Sequence, residues 1–165
     1  MTEPTSNSTL VLDNSVLSAL FAAGWFDAPS FYWPDQSILV SARVWNGEFV
    51  PYHDAEGEPA WATVRETDLE SVRTQALGQL SKPDWSCLAL AEAAEGDSTV
   101  VTNDRTLREV ATRRDVTAEW GTHFVIRTFE SCGISRTDYE DGVDTYLGDV
   151  TLPDAVEDEV RNAEK

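Results

Sequence analysis

The sequence predicts an α/β protein in which a mostly parallel sheet is covered by helices on both faces. Short aliphatic runs, TLVL, SILVS and STVVT, alternate with longer segments of helical periodicity, the pattern of βαβ units. The runs are too short and too evenly apolar for amphipathic helices, and they suit strands buried on both sides. With 165 residues, 41% hydrophobic and 10% aromatic, the chain has the material for a packed core and not the composition of a disordered acidic segment.

Each element follows from local signals. Residues 9–13 read as a buried strand and 14–23 as a helix that Gly24 stops. An aromatic linking segment, GWFDAPSFYWP, leads to a short strand at 37–41 and a helix at 42–49 with Ser41 as N-cap. Residues 51–59, with Gly57 and two prolines, read as a loop, and 62–66 as an edge-like strand. Helices at 68–80 and 83–95 flank the Ser81–Lys82–Pro83 break, Pro83 suiting a first helical turn and Gly96 closing the second helix. A strand at 98–102, a helix at 105–114 and an extended piece near Val116 follow. Gly121 and Thr122 open a helix reaching about Cys132, Gly133 ends it, and one more helix covers 136–147. Residues 1–8 are expected to be a flexible N-terminus, 9–148 the folded domain, and 149–165 an acidic tail that frays. From Asp138 onward there are ten acids and two bases.

The charge balance is extreme. Thirty acids oppose twelve bases, a net of −18 with a pI near 4.2, and the acids are spread along the whole chain. Ten of the bases are arginines, Lys82 and Lys165 being the two lysines. Self-repulsion on this scale destabilises a fold in dilute buffer, while at about 1 M salt the screening length drops to about 3 Å. The composition therefore points to the salt-rich cytoplasm of a halophile. Cys87 and Cys132 stand apart with no metal-ligand spacing, so both are expected as reduced thiols. No apolar run approaches the roughly 20 residues of a membrane span, and the first eight residues lack a signal pattern, so an intracellular, non-membrane protein is expected.

Two strand ends carry an acid: Asp13 in TLVLDNSVL and Asp104 in TVVTNDRTL. Each acid suits an N-cap, but Asn14 and Ser15 would cap the first helix equally well, so a carboxylate is not needed there. Ligands of open parallel sheets bind outside the carboxyl ends of the strands. Two acids at that edge repel unless a cation lies between them. Asp84 sits in the opening turn of its helix, where the helix dipole favours an acid. It also shares a stripe with Leu88 and Ala91, which turns it toward the sheet. Glu48 shares a face with Val44 in a helix weakened by Gly47, and Glu56, Glu58, Glu66 and Asp68 are nearby substitutes.

Taken in order, these motifs resemble PIN-domain nucleases. The matching pieces are DNSVL after the first strand, VWNGEF after the second and DWSCLALAEAAEG opening a later helix. VVTNDRTLREVA at the next strand end and GTHFVIRTFESCGIS complete the set. The resemblance covers residues 9–147 and implies a three-layer α/β/α sandwich; together with the charge balance, the expected source is a halophilic archaeon. It implies Mg²⁺- or Mn²⁺-dependent cleavage of RNA at a cluster of Asp13, Glu48, Asp84 and Asp104, with Ser15 and Asn103 in support. Hard oxygen donors suit those ions. It also admits a toxin inhibited by a protein antitoxin, and leans to a homodimer.

A chain of −18 is a poor general phosphate binder, and high salt removes most of the counterion-release contribution. The local exception is the helix after Asp104, where Arg105 and Arg108 lie within a turn of the acids and are the expected RNA contacts. Arg113 and Arg114 suit a helix C-terminus better. The rival from another class is a catalytically silent PIN-like module that binds RNA or protein. A phospho-acceptor domain, which needs a lysine late in the chain, fits less well.

Overall fold

The computed structural model describes residues 9–29, 37–53, 59–67, 80–94, 97–130, 134–150 and 152–163. Five parallel strands form one sheet: β1 (Thr9–Leu12), β2 (Ser37–Ser41), β3 (Thr63–Arg65), β4 (Ser98–Thr102) and β5 (Thr117–Trp120). Their order is β3-β2-β1-β4-β5. The chain winds outward from β1 to β2 and β3, then returns to β4 on the other side of β1. Because such crossovers are right-handed, this reversal puts helices on both faces and leaves a topological switch point between β1 and β4. The fold is the three-layer α/β/α arrangement that the sequence predicts.

On one face α1 (Asn14–Ala23) packs against α6 (Arg136–Asp149), and α5 (Gly121–Glu130) lies on β4 and β5. On the other, α3 (Lys82–Ala93) lies on β1, β2 and β4, and α4 (Arg105–Arg113) on β4 and β5. Val11, Leu12, Val40, Val100 and Val101 are buried between the layers, so the central strands present apolar side chains to both. Gly24 adopts φ 83° and caps α1 with its N–H, the left-handed turn for which glycine has no steric penalty.

Three local expectations change. The helix begun at Ala42 does not stop at Phe49 but runs through residues 42–53 as α2, with a π-turn at Trp45–Phe49. The N–H of Val50 bonds to the carbonyl of Trp45, five residues back. Pro51 has no N–H and crowds the carbonyl four residues before it, and the widened turn gives it room. The extended piece near Val116 is a full fifth strand, paired with β4 from Thr99↔Thr117 to Thr102↔Trp120. The segment expected as a fraying tail instead folds as α7 (Asp154–Arg161) against α5 and α6. Val160 is fully buried there, and its carbonyl accepts the Tyr139 hydroxyl at 2.7 Å. Val156 and Val160 supply an i, i+4 stripe that the surrounding acids mask in the sequence. The flexible N-terminus, the helix expected at 68–80 apart from Leu80, Gly96, Cys132 and Gly133 lie outside the described residues, as do Glu56, Glu58 and Asp68. Among the described residues no helix is long and apolar enough to cross a membrane.

Candidate functional site

Strand register fixes the edge on which the acids meet. Leu12 pairs with Val101 and Val11 with Leu39. One residue further on, Asp13 lies level with Ser41 of β2 and Thr102 of β4, and Thr102 in turn pairs with Trp120. These residues form one row along the carboxyl edge of the sheet, across the switch point.

Asp13 is 3% exposed and is the N-cap of α1. Its Oδ1 accepts the Ser15 N–H at 2.5 Å and the Ser15 hydroxyl at 2.6 Å, while Oδ2 accepts the Thr102 hydroxyl. Those hydroxyl oxygens serve the next loop. Ser15 Oγ accepts the Asn103 N–H at 2.9 Å, and Thr102 Oγ1 accepts the Asp104 N–H at 2.9 Å. The β1 and β4 ends are therefore laced together through one carboxylate. Burial pushes the Asp13 pKa up, helped by Asp104, and the Ser15 and Thr102 hydrogen bonds oppose it. All three donors favour the ionised form, which only accepts.

Asp104 caps α4, with Oδ1 accepting the N–H of Thr106 at 2.8 Å and of Leu107 at 3.3 Å. Capping thus describes both strand-end acids in part. It does not account for the Thr102 hydroxyl on Asp13 Oδ2, which no cap requires.

Asp84 reaches the same edge through a chain of hydroxyls. The Val44 N–H donates to Ser41 Oγ at 3.0 Å, Ser41 and Ser86 share a hydrogen bond at 2.5 Å, and Ser86 donates to the Pro83 carbonyl at 2.5 Å. Ser41 and Ser86 are fully buried, so this chain pins the start of α3 to the end of β2. Ser81 caps the helix, accepting the Asp84 N–H at 3.3 Å. Burial, and then the charges of Asp13, Asp104 and Glu48, push Asp84 up to about 7. Glu48 sits half-buried in the π-turn and is raised by burial and by Asp13. The extra residue per turn aims it differently from a plain α-helix, and Gly47 lies in open space. Cys87, fully buried, is pushed up by burial and then by Asp13, Asp84 and Glu48.

The fold therefore lets carboxylates from four separate elements act on one another: Asp104 on Asp13, Asp13 on Glu48, and Asp13, Asp104 and Glu48 on Asp84. Among the described residues no ion pair involves any of them. Nor do any three described His, Cys, Asp or Glu side chains close tightly enough to enclose an ion. The donor set is nonetheless the hard all-oxygen kind that suits Mg²⁺ or Mn²⁺, and Mg²⁺ characteristically uses one or two carboxylates and fills its other positions with water and phosphate. Ser15 and Asn103 tie the β1 and β4 ends together: Asn103 is buried, and its Nδ2 reaches the Ser15 carbonyl at 3.5 Å.

The two expected RNA contacts differ. Arg105 is 82% exposed and paired with Glu109 at 3.1 Å. Arg108 lies with its guanidinium carbon 4.0 Å from the Trp120 ring centre. Arg114 is held by Glu92 through two 3.0 Å bonds and takes no part in the edge. Sequence reasoning missed Thr102, Ser86 and Trp120. The signal for Thr102 was its place directly before Asn103 and Asp104, where a hydroxyl can reach across to the neighbouring strand. Comparison with protein-family models finds no match, and comparison with curated proteins finds none either.

Proposed function

We propose that the chain is a metal-dependent ribonuclease of the PIN-domain type, with Asp13, Glu48, Asp84 and Asp104 as its acidic centre. The observation that carries this reading is the meeting of four carboxylates at the switch point of a parallel sheet with no cation paired to them among the described residues. Like charges raise one another's pKa, and a divalent ion or a proton relieves the cost. A bound Mg²⁺ or Mn²⁺ would neutralise the scissile phosphate and supply an activated water.

The chain's own groups have distinct parts. Asp13 is held rigid by Ser15 and Thr102, which leaves one lone pair of Oδ2 for a ligand. Asp104 spends Oδ1 on its cap and keeps Oδ2 for the centre. Burial and the neighbouring carboxylates raise Asp84 to about 7, so it would hold a proton more readily without a cation than beside one. Glu48 would add a carboxylate from the α2 side. The reading extends to a halophilic archaeal cytoplasm, to a homodimer, and to either RNA processing or a toxin restrained by an antitoxin.

The test is cleavage of structured RNA in molar KCl with Mn²⁺ by wild type, Asp13→Asn and Asp104→Asn. Asn caps a helix as well as Asp does, so loss in Asp104→Asn reports the charge. Both variants should lose about 10²–10³-fold in rate, the scale on which one electrostatic group at a reaction centre acts. Equal cleavage by all three proteins would sink the proposal. The three donors already held by Asp13 favour a second reading, a silent RNA-binding module, which predicts RNA binding by wild type with no cleavage at all.

A further inference from the structure

Arg108 is a half-buried arginine seated on an indole and, among the described residues, in no ion pair. Its Nε is buried and has no hydrogen-bond partner. No described carboxylate forms an ion pair with it, in a chain of thirty acids and twelve bases. A guanidinium has five N–H donors and no acceptor, so a buried Nε without a partner beside a half-exposed fork favours an anion. The Trp120 ring, 4.0 Å away, holds it in place by a cation–π contact.

The position matters as much as the vacancy. Trp120 pairs in register with Thr102, whose hydroxyl bonds to Asp13, and neighbouring strands lie about 4.8 Å apart. Arg108 is one turn into α4, its N–H bonded to the Asp104 carbonyl at 3.1 Å. A surface groove of about 380 Å³, lined by Arg108, Glu109, Thr112 and Arg113, runs along the helix from there. That volume is at the lower end of small-ligand sites, about 300–1,000 Å³. The acid in the groove, Glu109, is exposed and turns its Oε2 to Arg105 at 3.1 Å; its charge acts on Arg108 only at longer range.

We propose that Arg108 and Trp120 form an anchor for single-stranded RNA, gripping a backbone phosphate next to the one that the acidic centre addresses. The identity of that neighbouring phosphate rests on the nuclease reading; the anchor itself does not. A fixed guanidinium edge takes phosphate oxygens two at a time, and an unpaired strand leaves its base free to stack on the guanidinium or indole plane. A short, partly buried contact of this kind survives concentrated salt, where long-range steering is screened. It explains how a protein of −18 could hold RNA at all.

The experiment is fluorescence anisotropy of a labelled single-stranded oligoribonucleotide with EDTA present, across a KCl series. Arg108→Met keeps the apolar stem on Trp120 and removes the charge; Arg108→Lys keeps the charge without the planar fork. Arg108→Met should weaken binding by about tenfold and lower the salt slope by about 0.7, one phosphate contact on a single strand. Arg108→Lys should restore the slope but only part of the affinity, and Trp120→Leu should weaken binding with the slope kept. Melting temperatures within a few degrees of wild type, as for a surface substitution, separate this from misfolding. Wild-type affinity in Arg108→Met, no binding by wild type, or equally tight binding of duplex RNA would overturn the anchor. If Arg108→Met binds normally while Asp13→Asn abolishes cleavage, the anchor falls and the nuclease stands. If Arg108→Met loses binding while Asp13→Asn cleaves like wild type, the anchor stands and the nuclease falls.

Discussion

The Thr102 hydroxyl donates to Asp13 Oδ2, so the last residue of β4 holds the carboxylate that follows β1. The same oxygen accepts the Asp104 N–H at 2.9 Å, which makes Thr102 the joint between the two strand-end acids. Thr102→Val keeps the shape and removes both functions. A hydrogen bond to a charged group contributes about 1.5–3 kcal/mol. In a protein of this size each kcal/mol moves Tm by about 2–4 °C. Thr102→Val should therefore melt several degrees lower, and Thr102→Ser should recover most of the loss. Calorimetry or denaturant unfolding of the two variants decides the matter.

Asp84 sets a pH signature. Its folded-state pKa is raised to about 7 from an ordinary carboxyl value of 3.8. Between those values the folded protein binds more protons than the unfolded chain, so stability falls as pH rises from about 4 to about 7. Metal-free protein should become more stable on acidification from pH 8 toward 5, roughly the window this shift defines. Asp84→Asn should flatten that rise and be the more stable protein at pH 8, while Mn²⁺ should stabilise wild type more than the variant. Tm measured against pH, with EDTA and with Mn²⁺, checks the sign.

Gly121 is needed for space and not for its dihedral freedom. A Cβ there would stand 2.8 Å from Asn103 Oδ1 and 2.8 Å from Val16 Cγ2. Both neighbours are buried, and Asn103 is tied to Ser15 through its N–H at 2.9 Å. Gly121→Ala should cost about 1–3 kcal/mol as an overpacking change. It should also reduce cleavage more than its stability loss accounts for, because the displaced loop carries Asp104. Gly47→Ala, with nothing within 4 Å of the added carbon, is the matched control.

Net charge should govern stability. Raising KCl from about 0.1 M to about 1 M shrinks the screening length from about 10 Å to about 3 Å. Tm should climb steeply over that range for a protein of −18. A flat response would mean that the acids are compensated locally, against the seven ion pairs found among the described residues.

The sequence by itself determined the layer architecture and most element ends, because strand runs, caps and stop signals are local. β2 and β4 begin and end where SILVS and STVVT do, and α1 ends at Gly24. It also put Asp13 and Asp104 at one edge, since parallel strands carry their carboxyl ends to the same side. Tertiary structure alone decided which other groups join them. The Ser41–Ser86 contact that brings in Asp84 spans 45 residues, and the Thr102–Asp13 contact spans 89. The π-turn that aims Glu48 has no periodic signature, and α7 hides one buried valine, Val160, among acids. Contacts of that range depend on strand order and register, which no local pattern encodes, and the unpaired Arg108 over Trp120 is visible only once β5 lies beside β4.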